Sequence, residues 1–296
     1  MFETALCLLA SAVYAVLLRI VFFLDNLNSL SGGGVLSKLY KPAARLLTGK
    51  GEIERGLSRK KAVLVHSALV RSRQIRTKEL RSGNKKEVLR EIAKTKKIRE
   101  HKKELGEIVD RISVFYDTKA GRERERKRPV DSEKEHGEEL QTLWRKTMQT
   151  QAPKIPSEEW KRIGFQGTDP KTDFRGMGHQ GLLDLVQLAE GCPAQTKKLV
   201  DMSQSAADEF PFSIVGVNVS FFVCTELERD LLRNHLLDRP VSVLDVYCSV
   251  FSDFSERWSR RKEKNLLHLG VVMKETKESF LSMLWRRRLL SVVGLG

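Results

Sequence analysis

The chain has 296 residues, enough for one large domain or two small ones, and its 41% hydrophobic and 31% charged residues are the proportions of a globular protein with a core. Its net charge of +15 is lopsided: Lys50–Arg128 holds 26 Lys or Arg against 12 Asp or Glu, so +14 of it lies in one block. The four cysteines (Cys7, Cys192, Cys224 and Cys248) form no C-x-x-C pair and have no histidine at ligand spacing, which argues against a zinc site and suits a reducing compartment.

Thr4 to Leu24 is an apolar run broken mainly by Ser11, Tyr14 and Arg19. At roughly 20 residues it can cross the hydrocarbon core of a bilayer as a helix. A cleaved signal peptide would want positive charge ahead of the run, where Glu3 stands, although Ala10-Ser11-Ala12 is a passable cleavage site. A buried core helix would need a partner for Arg19. An uncleaved signal anchor fits best, and the basic residues from Lys38 onward keep the downstream chain in the cytosol. The expected localisation is therefore a membrane, such as the ER or Golgi, with the following domain facing the cytosol.

The chain divides into a hydrophobic segment (1–30), a basic linker or helical arm (31–130) and a better-punctuated domain (131–290). Ser31-Gly32-Gly33-Gly34 is a flexible break; the P-loop spacing is absent. The basic block reads as a surface-binding or solvated arm outside any core. It has the charge for nucleic acid but few aromatics and no recognition motif, so anionic lipid near the anchor is the better-fitting partner. Arg71 to Gly83 reads as a linker, Lys85 to Tyr116 as a helix on its three- and four-residue apolar spacing, and Gly121 to Pro129 as a solvated linker.

Ser132 and Glu135 form a capping box for a helix whose apolar face is Leu140, Leu143, Trp144, Thr147 and Met148 and which Pro153 and Pro156 end. Ser157-Glu158-Glu159 starts the next helix. Leu182 to Ala189 and Ala194 to Met202 are helical. Phe210 to Val223 is ambiguous between strand and helix, and Glu226 to Leu237 reads as a short amphipathic helix. Ser242 to Trp258 has the strongest period, and Leu266 to Trp285 is the last helix. The fold class is all-α: a compact multi-helix domain preceded by a basic helical arm and an apolar N-terminal helix. Asn218-Val219-Ser220 matches the glycosylation sequon by chance inside an apolar element.

One stretch carries candidate chemistry. Trp160 to Gly178 is dense in Gly, Asp and Thr, which build tight turns, and Trp160, Phe165 and Phe174 can pin such a loop to a helical core. Asp173 is placed to cap the helix that follows, and Arg175 either pairs with Asp173 or Asp169 or points outward. His179 reads as a surface residue. No acid/base dyad, serine triad or metal cluster emerges elsewhere.

This stretch resembles the signature of ELMO domains, W-x-x-[IV]-G-F-Q-x-x-x-P-x-T-D-F-R-G-x-G, at every specified position from Trp160 to Gly178. Phe210 to Asn218 resembles a second apolar block of that family, and Thr48-Gly49-Lys50 with Glu52 to Arg55 resembles the N-terminal region of its short, single-domain members. His179 and Gln180 depart from it, since leucines are usual there. The resemblance implies a GTPase-activating protein for Arf and Arf-like small GTPases in their GTP form, with Arg175 as the arginine supplied in trans. Gln166, Asp169, Thr172, Asp173, Gly176 and Gly178 would shape the loop or contact the GTPase. Mg²⁺ and nucleotide would belong to the GTPase, leaving this chain with no cofactor, no metal and no independent catalytic activity. The alternative is a non-catalytic adaptor, the role of larger ELMO-domain scaffolds, which usually depart from the pattern at the arginine.

Overall fold

A computed structural model describes residues 2–31, 35–72, 85–131 and 135–292. Among these there is no strand, so the fold is all-α. The residues group into two compact units, one of Met1–Asp117, Arg233–Arg239 and Trp285–Gly296, the other of Thr118–Leu232 and Pro240–Leu284.

The first unit contains α1 (Phe2–Ser31), α2 (Val35–Thr48), α3 (Glu52–Ser58), α4 (Ala62–Val70), α5 (Lys85–Lys96) and the first part of α6 (Lys102–Lys127), together with α11 (Arg233–Asp238). Within α1, Ala10–Asn28 is long and apolar enough to cross a membrane, and only 17% of it is buried. Val13, Val16 and Ile20 lie open there at 53%, 54% and 47% exposure, the surface a bilayer would cover. Farther along the helix Asp25 is buried and accepts from Arg55 Nε and Nη2 at 2.8 and 2.7 Å and from Arg59 Nη1 at 3.1 Å. All of Ala62 to Leu69 is buried, with the Val63 N–H donated to Asp238 of α11 at 3.0 Å. The basic block is therefore not a wholly solvated arm. Its cations Arg55 and Arg59 neutralise an internal carboxylate, and α4 lies inside.

Two helix boundaries differ from the sequence reading here. Lys85 to Tyr116 is not continuous: α5 and α6 are broken where Lys97 (φ 55°) and His101 (φ 61°) take left-handed conformations. The flexible break at 32–34 and most of the expected linker, residues 73–84, lie outside the described residues.

The second unit holds the rest of α6, then α7 (Gly137–Met148), two 3₁₀ turns (Glu158–Ile163 and Pro170–Phe174), α8 (Gly178–Gly191), α9 (Pro193–Ser203), α10 (Phe212–Glu228), α12 (Val243–Ser259) and α13 (Leu266–Val292) as far as Leu284. Tyr247, Val250, Phe251, Phe254 and Trp258 of α12 are all buried, as the period predicts. Gly121 to Lys127 is helical, not a linker: Arg122 is buried and donates to both carboxylate oxygens of Asp184. The stretch from Phe212 onward resolves as helix α10, and its exposed stripe carries apolar Ile214, Val217 and Phe221, so apolar residues on all sides hide the period. The expected helix from Glu226 to Leu237 is instead the end of α10, a turn with Asp230 at φ 59°, and the separate α11.

Ser132 lies outside the described residues, and α7 starts after His136 without a side-chain cap. That helix ends at Met148 because Gln149 turns left-handed (φ 54°), ahead of Pro153. Cys224 and Cys248 are buried free thiols, as composition suggests. Asn218 sits on helical backbone, bonded to the Ile214 carbonyl, with Ser220 wholly buried.

Candidate functional site

The Gly-rich stretch becomes a loop with almost no freedom. Trp144, Trp160, Phe165 and Phe174 form an edge-to-face ladder, with ring centroids 5.2, 6.0 and 5.6 Å apart in sequence. Such pairs contribute roughly 0.5–1.5 kcal/mol each beyond their burial. Trp160, Phe165 and Phe174 are 0%, 3% and 1% exposed, so both 3₁₀ turns are nailed to the core by their last or central residues. The Trp160 indole N–H also donates to the Lys154 carbonyl at 3.2 Å.

Glycines close the remaining gaps. Gly164 has φ +84°, and a Cβ there would sit 2.4 Å from the amide nitrogen of Phe212. Gly178 has φ +54°, and a Cβ would meet the carbonyl oxygens of Arg126 and Arg128, each at 2.4 Å. Gly176 is different: a Cβ there would meet nothing within 4 Å.

Side chains fix the tip. Asp169 Oδ1 caps the second 3₁₀ turn by accepting the Lys171 N–H at 3.1 Å, Asp169 Oδ2 pairs with Lys171 Nζ at 3.0 Å, and Thr172 Oγ1 donates to the Asp169 carbonyl at 3.0 Å. Asp173 does not cap α8. Its Oδ2 reaches backward to accept the Gln166 N–H at 2.7 Å, because the turn folds its side chain toward the start of the loop. Burial raises the Asp173 pKa, while the Gln166 N–H and the charge of Arg175 oppose that rise. The Gln166 side chain is exposed and makes no hydrogen bond among the described residues; the turn uses its backbone.

Arg175 is exposed, and among the described residues it makes neither a hydrogen bond nor an ion pair. The two carboxylates that could have neutralised it are committed to Gln166 and Lys171. The loop thus brings together Asp169, Thr172, Asp173 and the Gln166 backbone as scaffold, with the guanidinium left over.

The loop's exit was not legible in the sequence. His179, expected at the surface, is 5% exposed. Its Nδ1 lies 2.8 Å from Glu125 Oε2 and its Nε2 2.6 Å from Glu139 Oε2. Gln180 donates to Asp184, the partner of Arg122. Polar networks therefore fill the two positions where leucines were expected. His136 stacks on His179 with centroids 4.1 Å apart, and donor atoms of His136, Glu139 and His179 lie within 4.8 Å of one another. That spacing would admit a metal, while His136 Nδ1 is taken up in accepting the Asp131 N–H at 2.8 Å, which places the proton of the neutral ring on Nε2.

Beside the ladder runs a groove of about 740 Å³ lined by Lys161, Arg162, Phe165, Phe210, Trp258 and Leu266, among others.

The ELMO/CED-12 family model matches residues 121–273, just over half of the chain. The chain belongs to the ELMO/CED-12 family. Its ELMO domain is similar to human ELMO domain-containing protein 2, at 30% identity over 167 residues covering 54% of this chain and 57% of the relative. It is also similar to Dictyostelium discoideum ELMO domain-containing protein B, at 28% over 169 residues, 55% and 59% of the two chains, and to human ELMO domain-containing protein 3, at 28% over 167 residues, 54% and 43%. The chain therefore spans between 43% and 59% of the length of these curated relatives. No solved structure matches it. The family match starts at Gly121, inside α6, so the helix that carries Arg122 and Glu125 lies within the ELMO domain.

Proposed function

We propose that this ELMO-domain protein accelerates GTP hydrolysis by an Arf or Arf-like small GTPase in its GTP form, inserting Arg175 in trans. One observation carries the reading: among the described residues the exposed Arg175 guanidinium makes no hydrogen bond or ion pair, at the tip of a loop whose aspartates are taken up by the Gln166 N–H and by Lys171. In phosphoryl transfer, negative charge is spread over the equatorial oxygens, and a planar, permanently charged guanidinium neutralises it and can bond two oxygens at once. Immobilising the loop beforehand removes the entropy cost of aiming that group. Gly176 fits the same role, since nothing in the fold needs a glycine there and its missing side chain leaves room for a partner beside Arg175. Thr172, Asp169 and Asp173 act as scaffold, and Gly178 sets the exit angle.

In the same proposal residues 4–24 anchor the protein in a membrane such as the ER or Golgi, with the ELMO domain (131–290) facing the cytosol. The basic flank (31–130) lies against anionic headgroups through the cations that are not already paired. Resistance of the full chain to alkaline carbonate extraction tests the anchor.

The activity is tested by single-turnover GTP hydrolysis with a panel of Arf and Arf-like GTPases, comparing the full chain with Arg175→Lys. The expected result is stimulation by the wild type that falls by about 10³-fold or more in the variant, the range of a trans arginine. Equal rates for the two proteins would remove Arg175 from the chemistry.

A further inference from the structure

His179 faces charge on every packed side. From α6 come Glu125 and, just beyond its end, Arg128; from α7 and the residues leading into it come Glu135, His136 and Glu139. Arg128 is itself held by Glu135 at 2.7 Å and by Glu125 at 3.5 Å. An ionised carboxylate only accepts, so the contacts of His179 with Glu125 and Glu139 are both hydrogen bonds only when both ring nitrogens carry protons. The geometry is that of an imidazolium bridging two helices. His136 does not share the charge: its pKa is lowered, first by burial and then by the neighbouring His179. On the other side, the hydrogen bond from His179 holds Glu125 below the usual carboxylate range.

The bridge sits at the root of the arginine turn. Only Gly176, Met177 and Gly178 separate Arg175 from His179. The His179 N–H donates to the Arg128 carbonyl at 2.7 Å, the Met177 N–H to the Phe174 carbonyl at 3.0 Å, and Gly178 is wedged on the carbonyls of Arg126 and Arg128. The position of α8's first turn therefore sets where Arg175 points.

We propose that protonated His179 is a positioning residue for Arg175, clamping the first turn of α8 to α6 and α7 through Glu125 and Glu139. Its role in catalysis rests on the GTPase-activating reading; the clamp itself does not. Loss of one ring proton turns one of the two contacts into a lone pair facing a carboxylate, and the turn loosens.

The test uses the full chain with His179→Ala and, as a variant that keeps the ring, Glu139→Gln. Single-turnover rates, corrected for intrinsic hydrolysis, are measured against activator concentration. The expected maximal rate falls in both variants, by up to on the order of 10²-fold, the effect of misplacing a reacting group by about 1 Å. The half-saturating concentration stays unchanged. Without any GTPase, ring ¹⁵N shifts should show both His179 nitrogens carrying protons toward Glu125 and Glu139, and amide exchange of residues 174–182 should quicken in the variants. A singly protonated ring, or folded variants with wild-type exchange, overturns the clamp. Intact clamp signatures with wild-type rates in both variants overturn the positioning role. If the wild type stimulates no GTPase, the GTPase-activating reading and the positioning role built on it both fail, while the ring shifts and exchange rates still decide whether the clamp exists.

Discussion

Arg122 Nη1 and Nη2 meet Asp184 Oδ1 and Oδ2 at 2.8 and 2.6 Å, in a two-pronged pair whose side chains are 10% and 2% exposed. It joins α6 to the middle of α8, the helix that starts immediately after the arginine turn. Burial works against the Arg122 charge, but Asp184 outweighs it and keeps the guanidinium ionised. Removing one partner leaves an uncompensated buried charge. Asp184→Asn is therefore expected to cost about 3–5 kcal/mol in urea unfolding, with Arg122→Leu similar and the double apolar replacement recovering much of the loss. A cost near zero for either single change would mean that the pair is solvated in solution.

Three of the loop's four glycines are expected to separate stability from activity. Gly178→Ala and Gly164→Ala force a methyl into backbone at 2.4 Å on a positive-φ residue, and each should lower the melting temperature by several degrees or abolish folding. Gly176→Ala meets open space and should leave the melting temperature unchanged or slightly higher, by about 0.4–1 kcal/mol of unfolded-state entropy. Its stimulation of GTP hydrolysis should nevertheless drop, since the added methyl lies beside Arg175.

The groove next to the aromatic ladder offers Lys161 and Arg162 at its rim. Among the described residues their ion pairs are with nearby exposed glutamates, Glu158 at 2.6 Å and Glu159 at 3.9 Å, contacts of little net worth. If the groove receives an acidic face of the GTPase, the double change Lys161→Glu/Arg162→Glu should raise the half-saturating activator concentration about tenfold or more while leaving the maximal rate intact. That is the opposite signature from Arg175→Lys. A lowered maximal rate with unchanged saturation would place the groove outside the docking surface.

Glu125 gives an acid-side prediction. Its pKa is depressed in the folded chain, mainly by the His179 hydrogen bond. A depressed carboxyl contributes stability that is present above its unfolded value, about 4.3, and is lost as pH falls through the folded value. Melting temperatures taken from about pH 5 down to about pH 2 should therefore fall more steeply for the wild type than for Glu125→Gln. Parallel curves would show that the carboxylate is not coupled to the ring.

What the sequence disclosed followed physical visibility. α12 was legible because it is buried along one stripe, leaving a clean alternation of Tyr247, Val250, Phe251 and Phe254 with polar residues. α10 was not, since its exposed stripe carries apolar Ile214, Val217 and Phe221, and a helix apolar on all sides has no face to reveal. The end of α6 was misread because alternating Arg and Glu usually means water, and nothing local says that Arg122 has a carboxylate waiting 62 positions later. The break between α5 and α6 rests on left-handed Lys97 and His101, residues that carry no turn signal. The Gly, Asp and aromatic pattern of the loop was plain, while the bonding of each aspartate was not: Asp173 turns back to Gln166 instead of forward to α8.

An exposed guanidinium that makes no ion pair among the described residues takes further anions from its surroundings. Buffer anions such as phosphate and sulfate will crowd around Arg175 and compete with any phosphorylated partner. Affinities measured in phosphate buffer will therefore read weaker than those in chloride at equal ionic strength, and the difference will vanish in Arg175→Ala.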